Sequence, residues 1–141
     1  MEAFAWIASH PIAYPVLEAA HIVGIALLFG NLVLFELRVW GLGTALAVAP
    51  LARLSLGLSL AGFALAAASG LTMFATQVGE LLANRAFVLK MALLLLLGAN
   101  AAWFHLRGGV RRLDAPARAQ TALSLGLWLA VIICGRWIAY V

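Results

Sequence analysis

The sequence predicts an all-α integral membrane protein, a bundle of four transmembrane helices. The first observation is composition: 66% of the 141 residues are hydrophobic and 10% are charged, whereas a soluble domain is about half apolar and about a quarter charged. The second is that the apolar residues, which give a mean hydropathy of +1.09, form four stretches of roughly the 20 residues that cross a bilayer core. No stretch alternates as a barrel strand would, so we expect helices, which satisfy their own backbone hydrogen bonds in lipid.

The predicted elements follow the order of these stretches, and we treat residues 1–141 as one transmembrane domain. "MEAFAWIAS" predicts a short interfacial helix over residues 2–9, with Phe4, Trp6 and Ile7 among the lipid headgroups. Pro15 is expected to open the first span at its N1 position, where a missing N–H costs nothing. The predicted spans cover residues 16–39, 54–76, 87–106 and 122–140.

Basic residues cluster in two of the three loops. Arg38 and Arg53 flank the first loop, and the third loop carries Arg107, Arg111, Arg112 and Arg118. Because basic loops stay in the cytoplasm, we expect loops one and three on the cytoplasmic side of a bacterial inner membrane, with both termini outside. The net charge of +4 is therefore assigned to topology and to anionic lipid. The expected partner is the lipid bilayer, and no nucleic-acid partner is expected.

The sequence repeats itself at an offset of 69 residues. "GNLVLFELR" at residues 30–38 aligns with "ANAAWFHLR" at 99–107, and "LSLGL" recurs at 54–58 and 123–127. A duplicated helical hairpin would place both copies in the same orientation, related by a pseudo-two-fold axis along the membrane normal. The second span is also rich in small residues, which let helices approach closely within the bundle or between copies in a homo-oligomer.

Polar side chains in the outer half of the spans are the candidate binding site, because a charge in hydrocarbon is costly and usually faces the bundle interior. An imidazole in an apolar bundle can ligate a metal, including haem iron, which makes His21 the candidate ligand. Glu18 lies on the same helical face and would orient the ring through its other nitrogen. Lys90, the repeat partner of His21, and Arg136 would neutralise haem propionates, a quinone or an oxyanion.

A structural interpretation of the same residues stays open. Glu18 could pair with Arg136 or Lys90 in a buried ion-pair network that only holds helices together. Lys90 alone could extend its ammonium group to the outer surface of the membrane.

Three further residues carry weaker hypotheses. Glu36 and His105 are repeat partners near the cytoplasmic side, where a contact between them could relay protons. An interfacial histidine is nevertheless common without any such role. His10 could serve as a second ligand beside His21. The single cysteine, Cys134, excludes an intrachain disulfide.

Three stretches carry a family resemblance: "YPVLEAAHIVGIALLFGNLVLFELRVWGLG", "NRAFVLKMALLLLLGANAAWFH" and "GRWIAY". They resemble a family of bacterial four-helix membrane proteins that has no assigned activity. More distantly, the chain is similar to CopD-type copper-resistance proteins and to haem-binding protoporphyrinogen oxidases of the HemJ type. Those groups place a histidine early in one helix and a lysine at the start of a later one, here His21 and Lys90. The resemblance implies b-type haem binding at the histidine and a functional lysine.

The expected function is therefore that of a small b-type haem protein in a bacterial inner membrane. It would transfer electrons to or from a quinone or a partner protein, with His21 as an axial ligand. The alternative is a non-redox membrane component, either an ion or metal permease or an accessory subunit, in which the polar residues form a structural network. Copper handling is disfavoured because Met73 and Met91 are isolated rather than grouped.

Overall fold

The computed structural model describes residues 2–141, and within them the chain is almost entirely helical. In chain order the elements are α1 (Glu2–Ser9), α2 (Ala13–Val39), α3 (Val48–Thr76), α4 (Val78–Ala83), α5 (Arg85–Leu106), α6 (Gly109–Arg112) and α7 (Ala115–Trp137), which a 3₁₀ turn (Ile138–Tyr140) extends. Four helices, α2, α3, α5 and the extended α7, are long and apolar enough to cross a membrane. The predicted all-α membrane bundle is confirmed, and the chain is a multi-pass membrane protein.

The second and fourth spans begin about two turns earlier than predicted. Val48 rather than residue 54 begins α3, and Ala115 rather than residue 122 begins α7. Pro50 and Pro116 lie in the first turns of these helices, where no intrahelical N–H bond is lost. The prediction followed hydropathy and began these spans only after Arg53 and after Thr121, so it missed the turns before those residues.

Pro15 does not occupy the first position of its helix. The helix begins at Ala13, so Pro15 lies at the third position. Its missing N–H still falls among those that have no partner inside the helix. The His10 side chain caps the start of this helix. Its Nδ1 accepts hydrogen bonds from the N–H groups of Ile12 and Ala13 at 3.2 and 3.1 Å.

The first hairpin, α2 with α3, is packed backbone against backbone. At Gly24 an added Cβ would lie 2.6 Å from the Ala66 nitrogen, and at Gly62 it would lie 2.6 Å from the Leu28 nitrogen. The Ser59 hydroxyl donates a hydrogen bond of 3.2 Å across the interface to the Leu28 carbonyl. Small residues therefore bring these two helices together, and this interface is the most extensive of the fold.

The second hairpin, α5 with α7, packs less extensively. At the 69-residue offset, the positions of Gly24 and Gly62 are occupied by Leu93 and Val131. These larger side chains prevent the same backbone approach. The two hairpins that the sequence repeat aligns therefore differ in how closely their helices pack, and the duplication itself stays a prediction.

The two hairpins join in an apolar core near the end of α2. Its buried members are Phe35, Val39, Ala52, Phe104 and Ala117. The rings of the repeat partners Phe35 and Phe104 meet edge to face, with centroids 6.2 Å apart. The Trp40 indole N–H adds a 2.7 Å hydrogen bond to the Thr121 hydroxyl of α7. Repeat partners that contact each other are expected close to a pseudo-two-fold axis.

The predicted N-terminal helix forms as α1 and packs against α3 and α2. Ile7 is buried against the protein, whereas Phe4 and Trp6 are exposed. At the same end of the bundle, Asn84 accepts the N–H groups of Ala86 and Phe87 to cap α5. Its amide also donates to the carbonyls of Ile138 and Val141, which ties the last residues to the start of α5.

Candidate functional site

The His21 side chain lies in the interface between α2 and α3, so it does not face only lipid. Its Nδ1 is 2.7 Å from the Ala66 carbonyl oxygen and 3.2 Å from the Ser69 hydroxyl. A carbonyl can only accept, so Nδ1 carries the proton and donates it. The lone pair of the ring is therefore on Nε2. This nitrogen has no hydrogen-bond partner in the part of the chain that the structure describes.

Gly70 leaves the space in which the His21 ring sits. A Cβ added at Gly70 would lie 3.1 Å from Cε1 of the imidazole. Ser69 is buried, and its hydroxyl donates to the Leu65 carbonyl at 2.7 Å. The backbone and small side chains of one α3 turn thus hold the ring in a single orientation.

The orienting role predicted for Glu18 is taken by this turn of α3. Glu18 is exposed, and the ring nitrogen that it would have bonded donates to Ala66. Glu18 instead lies within electrostatic range of Tyr14, whose hydroxyl is 3.5 Å from the Gln77 amide nitrogen. Glu18 shares a helical face with His21 and so lies near the same outer end of α2. Its carboxylate, however, is not the hydrogen-bond partner of the imidazole Nδ1.

Lys90 is partly buried on α5 and lies along α7. Its Nζ would be 3.5 Å from a Cβ added at Gly135, and Gly135 is the repeat partner of Ala66. Each copy of the repeat therefore places its polar residue, His21 or Lys90, against a small residue of the facing helix.

Arg136 does not join the other predicted site residues. It is exposed, its guanidinium donates to the Tyr140 hydroxyl at 2.7 Å, and it lies 4.9 Å from the centre of that ring. Among the side chains of residues 3–141 the one ion pair is Arg107 with Asp114, at 3.0 Å. The alternative network, in which Glu18 pairs with Arg136 or Lys90, is therefore not formed among these residues.

The remaining polar residues are also separate from His21. Glu36 is 2% exposed, faces the Ser124 hydroxyl, and its Oε2 has no partner in the described chain. His105 is exposed and meets the edge of the Phe104 ring at 5.2 Å, so the structure does not join it to Glu36. His10 caps α2 and packs on Trp6 and is not a second ligand in this arrangement.

The donor available at His21 is a single imidazole nitrogen, Nε2. Residues 3–141 contain no group of three or more His, Cys, Asp or Glu side chains arranged to hold a metal. A porphyrin brings its own four nitrogen ligands, so one histidine with a free Nε2 meets the requirement for an axial ligand. A ligating histidine usually donates its other ring N–H to a carbonyl or carboxylate, as His21 does to Ala66.

Sequence reasoning missed the residues that hold the ring: Ala66, Ser69 and Gly70. The sequence does contain a signal for them, because these three residues are among the small residues in which the second span is rich. The sequence, however, predicts only that these small residues let helices pack closely. A backbone carbonyl has no mark in the sequence, so the acceptor could be found only from coordinates.

No protein-family model, no curated protein and no solved structure matches this chain. The family resemblance drawn from the residues therefore stays a prediction.

Proposed function

We propose that this protein is a small b-type haem protein that transfers electrons to or from a quinone or a partner protein. The observation that carries the proposal is the His21 ring, whose Nδ1 donates to the Ala66 carbonyl at 2.7 Å and whose Nε2 is left with a lone pair. When bound, haem would supply one-electron redox chemistry, while the protein supplies the axial ligand, its orientation and an apolar surrounding.

Lys90 is the second residue that the proposal uses. Lys90 is the partner of His21 at the 69-residue offset, and its side chain lies along the α7 face at Gly135. A cation in an apolar site attracts an anionic group, so Lys90 would bind a propionate or a quinone oxygen. Arg136 is engaged with Tyr140 and Glu18 is exposed, so neither has a direct role in the proposal.

The proposed location is a bacterial inner membrane, with loops one and three in the cytoplasm. Six of the nine Lys and Arg residues lie at that end of the bundle: Arg38, Arg53, Arg107, Arg111, Arg112 and Arg118. The positive-inside rule supports this orientation. The His21 site would then lie toward the outer leaflet.

The absorption spectrum of the purified protein, expressed with haem available, tests the proposal. We expect a Soret band that shifts when dithionite is added. His21→Ala should abolish it, because no other described side chain presents an imidazole there. His105→Ala is the matched control and should keep it, since His105 is exposed at the far end of α5. A colourless, folded wild-type protein would exclude haem, and a band that survives His21→Ala would exclude His21 as the ligand.

A non-redox membrane component is the second candidate, and Glu36 favours it. A carboxyl that is 2% exposed inside a span and has an unpartnered oxygen is costly and usually functional. Under this hypothesis Glu36 takes part in carrying protons or cations across the bilayer. Proteoliposomes with a pH-sensitive dye would report a proton flux that Glu36→Gln abolishes and His21→Ala leaves intact. The absence of any flux in wild-type vesicles would remove this candidate.

A further inference from the structure

The turn between α5 and α6 builds a groove at the end of the molecule where α2 and α5 finish. Residues 105–112 form most of it, and Ala49 at the start of α3 completes it. Gly108 has a left-handed backbone with φ of 69°. Gly109 lies directly on the Phe104 ring, where an added Cβ would come within 2.5 Å. These two glycines let α6 fold back over the end of α5 and so open the groove between them.

The charged side chains that line the groove are all cationic, Arg107, Arg111 and Arg112, and no acidic residue lines it. Arg107 is paired with Asp114, the acidic residue of the loop, at 3.0 Å. Arg111 and Arg112 are exposed, as is His105. None of these three side chains makes a hydrogen bond or an ion pair within the described residues. Two guanidinium groups therefore remain available to an anion, and guanidinium geometry suits a phosphate.

Large apolar side chains lie beside these cations. Leu106, which also lines the groove, is 88% exposed, and Trp103, one turn earlier on α5, is 64% exposed. In a spanning helix such residues contact lipid near the headgroup level. The surface thus combines an anion-binding end with an apolar end, which a free phosphate would not use and a phospholipid would.

We propose that this groove binds an anionic phospholipid, with the headgroup phosphate at Arg111 and Arg112 and an acyl chain along Leu106 and Trp103. The proposal is independent of haem binding at His21. It is also more specific than general attraction of a basic surface to a membrane, because it assigns the binding to two arginines out of the six at this end of the bundle.

Native mass spectrometry of the full-length protein in a neutral detergent tests the proposal. The probes are dioleoyl phosphatidylglycerol and dioleoyl phosphatidylcholine, which share their acyl chains and differ in net charge. We expect the wild type to retain the first lipid and to lose the second. Each arginine near a membrane surface is worth about fivefold in affinity, so R111Q/R112Q should weaken phosphatidylglycerol binding by roughly 25-fold.

R53Q/R118Q is the matched control. This variant removes two exposed arginines that lie at the same end of the molecule but do not line the groove. It should bind phosphatidylglycerol as tightly as the wild type does. If R111Q/R112Q does not purify as a folded protein, R112Q alone should show a loss of about fivefold. Equal losses in the two double variants would overturn the proposal, as would equal retention of the two lipids. Competition by inorganic phosphate or glycerophosphoglycerol at the concentrations of the lipid would show a free-anion site and would also overturn it.

Discussion

Gly24 and Gly30 lie on the same helix, but packing requires only one of them. A Cβ at Gly24 would meet the backbone of α3, with the Ala66 nitrogen at 2.6 Å and the Gly62 oxygen at 2.8 Å. A Cβ at Gly30 would meet nothing within 4 Å. Backbone atoms cannot move aside as the end of a flexible side chain can, so the two positions should respond to alanine in opposite directions.

Gly24→Ala should lower the free energy of unfolding by about 1–3 kcal/mol, the usual cost of forcing an extra methyl group into a close-packed interface. Gly30→Ala is the matched control. It should be neutral or should stabilise the protein by roughly 0.5–1 kcal/mol, because alanine loses less backbone freedom in a helix than glycine does. SDS-induced unfolding, followed by circular dichroism, measures both. Equal effects of the two substitutions would contradict the close approach of α2 and α3.

Residue types in the sequence located His21 and Lys90 but not their immediate surroundings. A histidine or lysine in an apolar stretch is conspicuous, and the 69-residue offset related the two. The partner of the His21 ring is a main-chain carbonyl, that of Ala66, and every residue has such a group. Glu18 was assigned to the ring because residues three apart share a helical face, but that spacing does not determine which way a side chain extends.

At the scale of single elements, the start of α7 is set by polar residues that hydropathy overlooks. The Asp114 carboxylate accepts the Ala117 N–H and pairs with Arg107, each at 3.0 Å. Pro116 follows in the first turn, where its ring is compatible with a helix. The sequence "DAPA" carries these start features, and an expectation based on caps rather than on apolar content would have placed the helix start correctly.

The Asp114 interactions predict a pH dependence of stability. The Ala117 N–H, with the Arg107 guanidinium, lowers the pKa of Asp114 below its usual value. A lowered folded-state pKa means that the stabilisation is fully present above the unfolded pKa of about 3.9 and is lost as pH falls through the folded pKa. Asp114→Asn should therefore be less stable than the wild type at neutral pH, and the two should converge in acid.

Thermal unfolding of wild type and Asp114→Asn across a pH series measures this convergence. Arg107→Gln is the companion variant and should remove only part of the wild-type advantage, because the Ala117 N–H remains as a partner. A difference between wild type and Asp114→Asn that is constant from neutral to strongly acidic pH would show that the carboxylate charge does not contribute.

At the scale of the whole molecule, aromatic rings join the two hairpins. Phe35 of α2 meets Phe104 of α5 edge to face, and both are at least 95% buried. A second pair, Phe74 of α3 with Phe87 of α5, is stacked at a centroid distance of 5.5 Å. Because α2 with α5 and α3 with α5 have few close backbone contacts, these rings link α5 to the first hairpin, while α2 also packs directly on α7.

A double-mutant cycle should detect the contact between Phe35 and Phe104. We expect a coupling energy of about 0.5–1.5 kcal/mol for F35L and F104L, the range for edge-to-face aromatic pairs. F35L with F63L is the control cycle, since Phe63 is exposed on α3, and it should be additive within about 0.5 kcal/mol. Additivity of F35L with F104L in SDS unfolding would mean that the hairpins associate without this contact.

The proposed orientation in the membrane is tested with single cysteines introduced after Cys134→Ala. Ala45→Cys lies in the first loop, and Gly79→Cys lies in α4 at the opposite end of the bundle. A Cβ added at Gly79 would have no other atom within 4 Å, so the new thiol has room. A membrane-impermeant maleimide added to intact cells with a permeabilised outer membrane should label Gly79→Cys at once. Ala45→Cys should be labelled only after the inner membrane is opened. The reverse pattern would place the basic loops outside and invert the proposed topology.

The sequence by itself determined that the chain is a four-span helical membrane protein with one strongly basic end. Both properties follow from the residue types along the chain. The length and apolar content of each stretch determine whether it can cross the bilayer, and the positions of the arginines can be read directly from the sequence. Only the tertiary structure decided that His21 donates to Ala66, that Lys90 lies against Gly135 while Arg136 bonds to Tyr140, and that the first hairpin packs far more closely than the second. These outcomes depend on the separation and rotation of facing helices, which are set by packing between distant segments and not by the composition of either one.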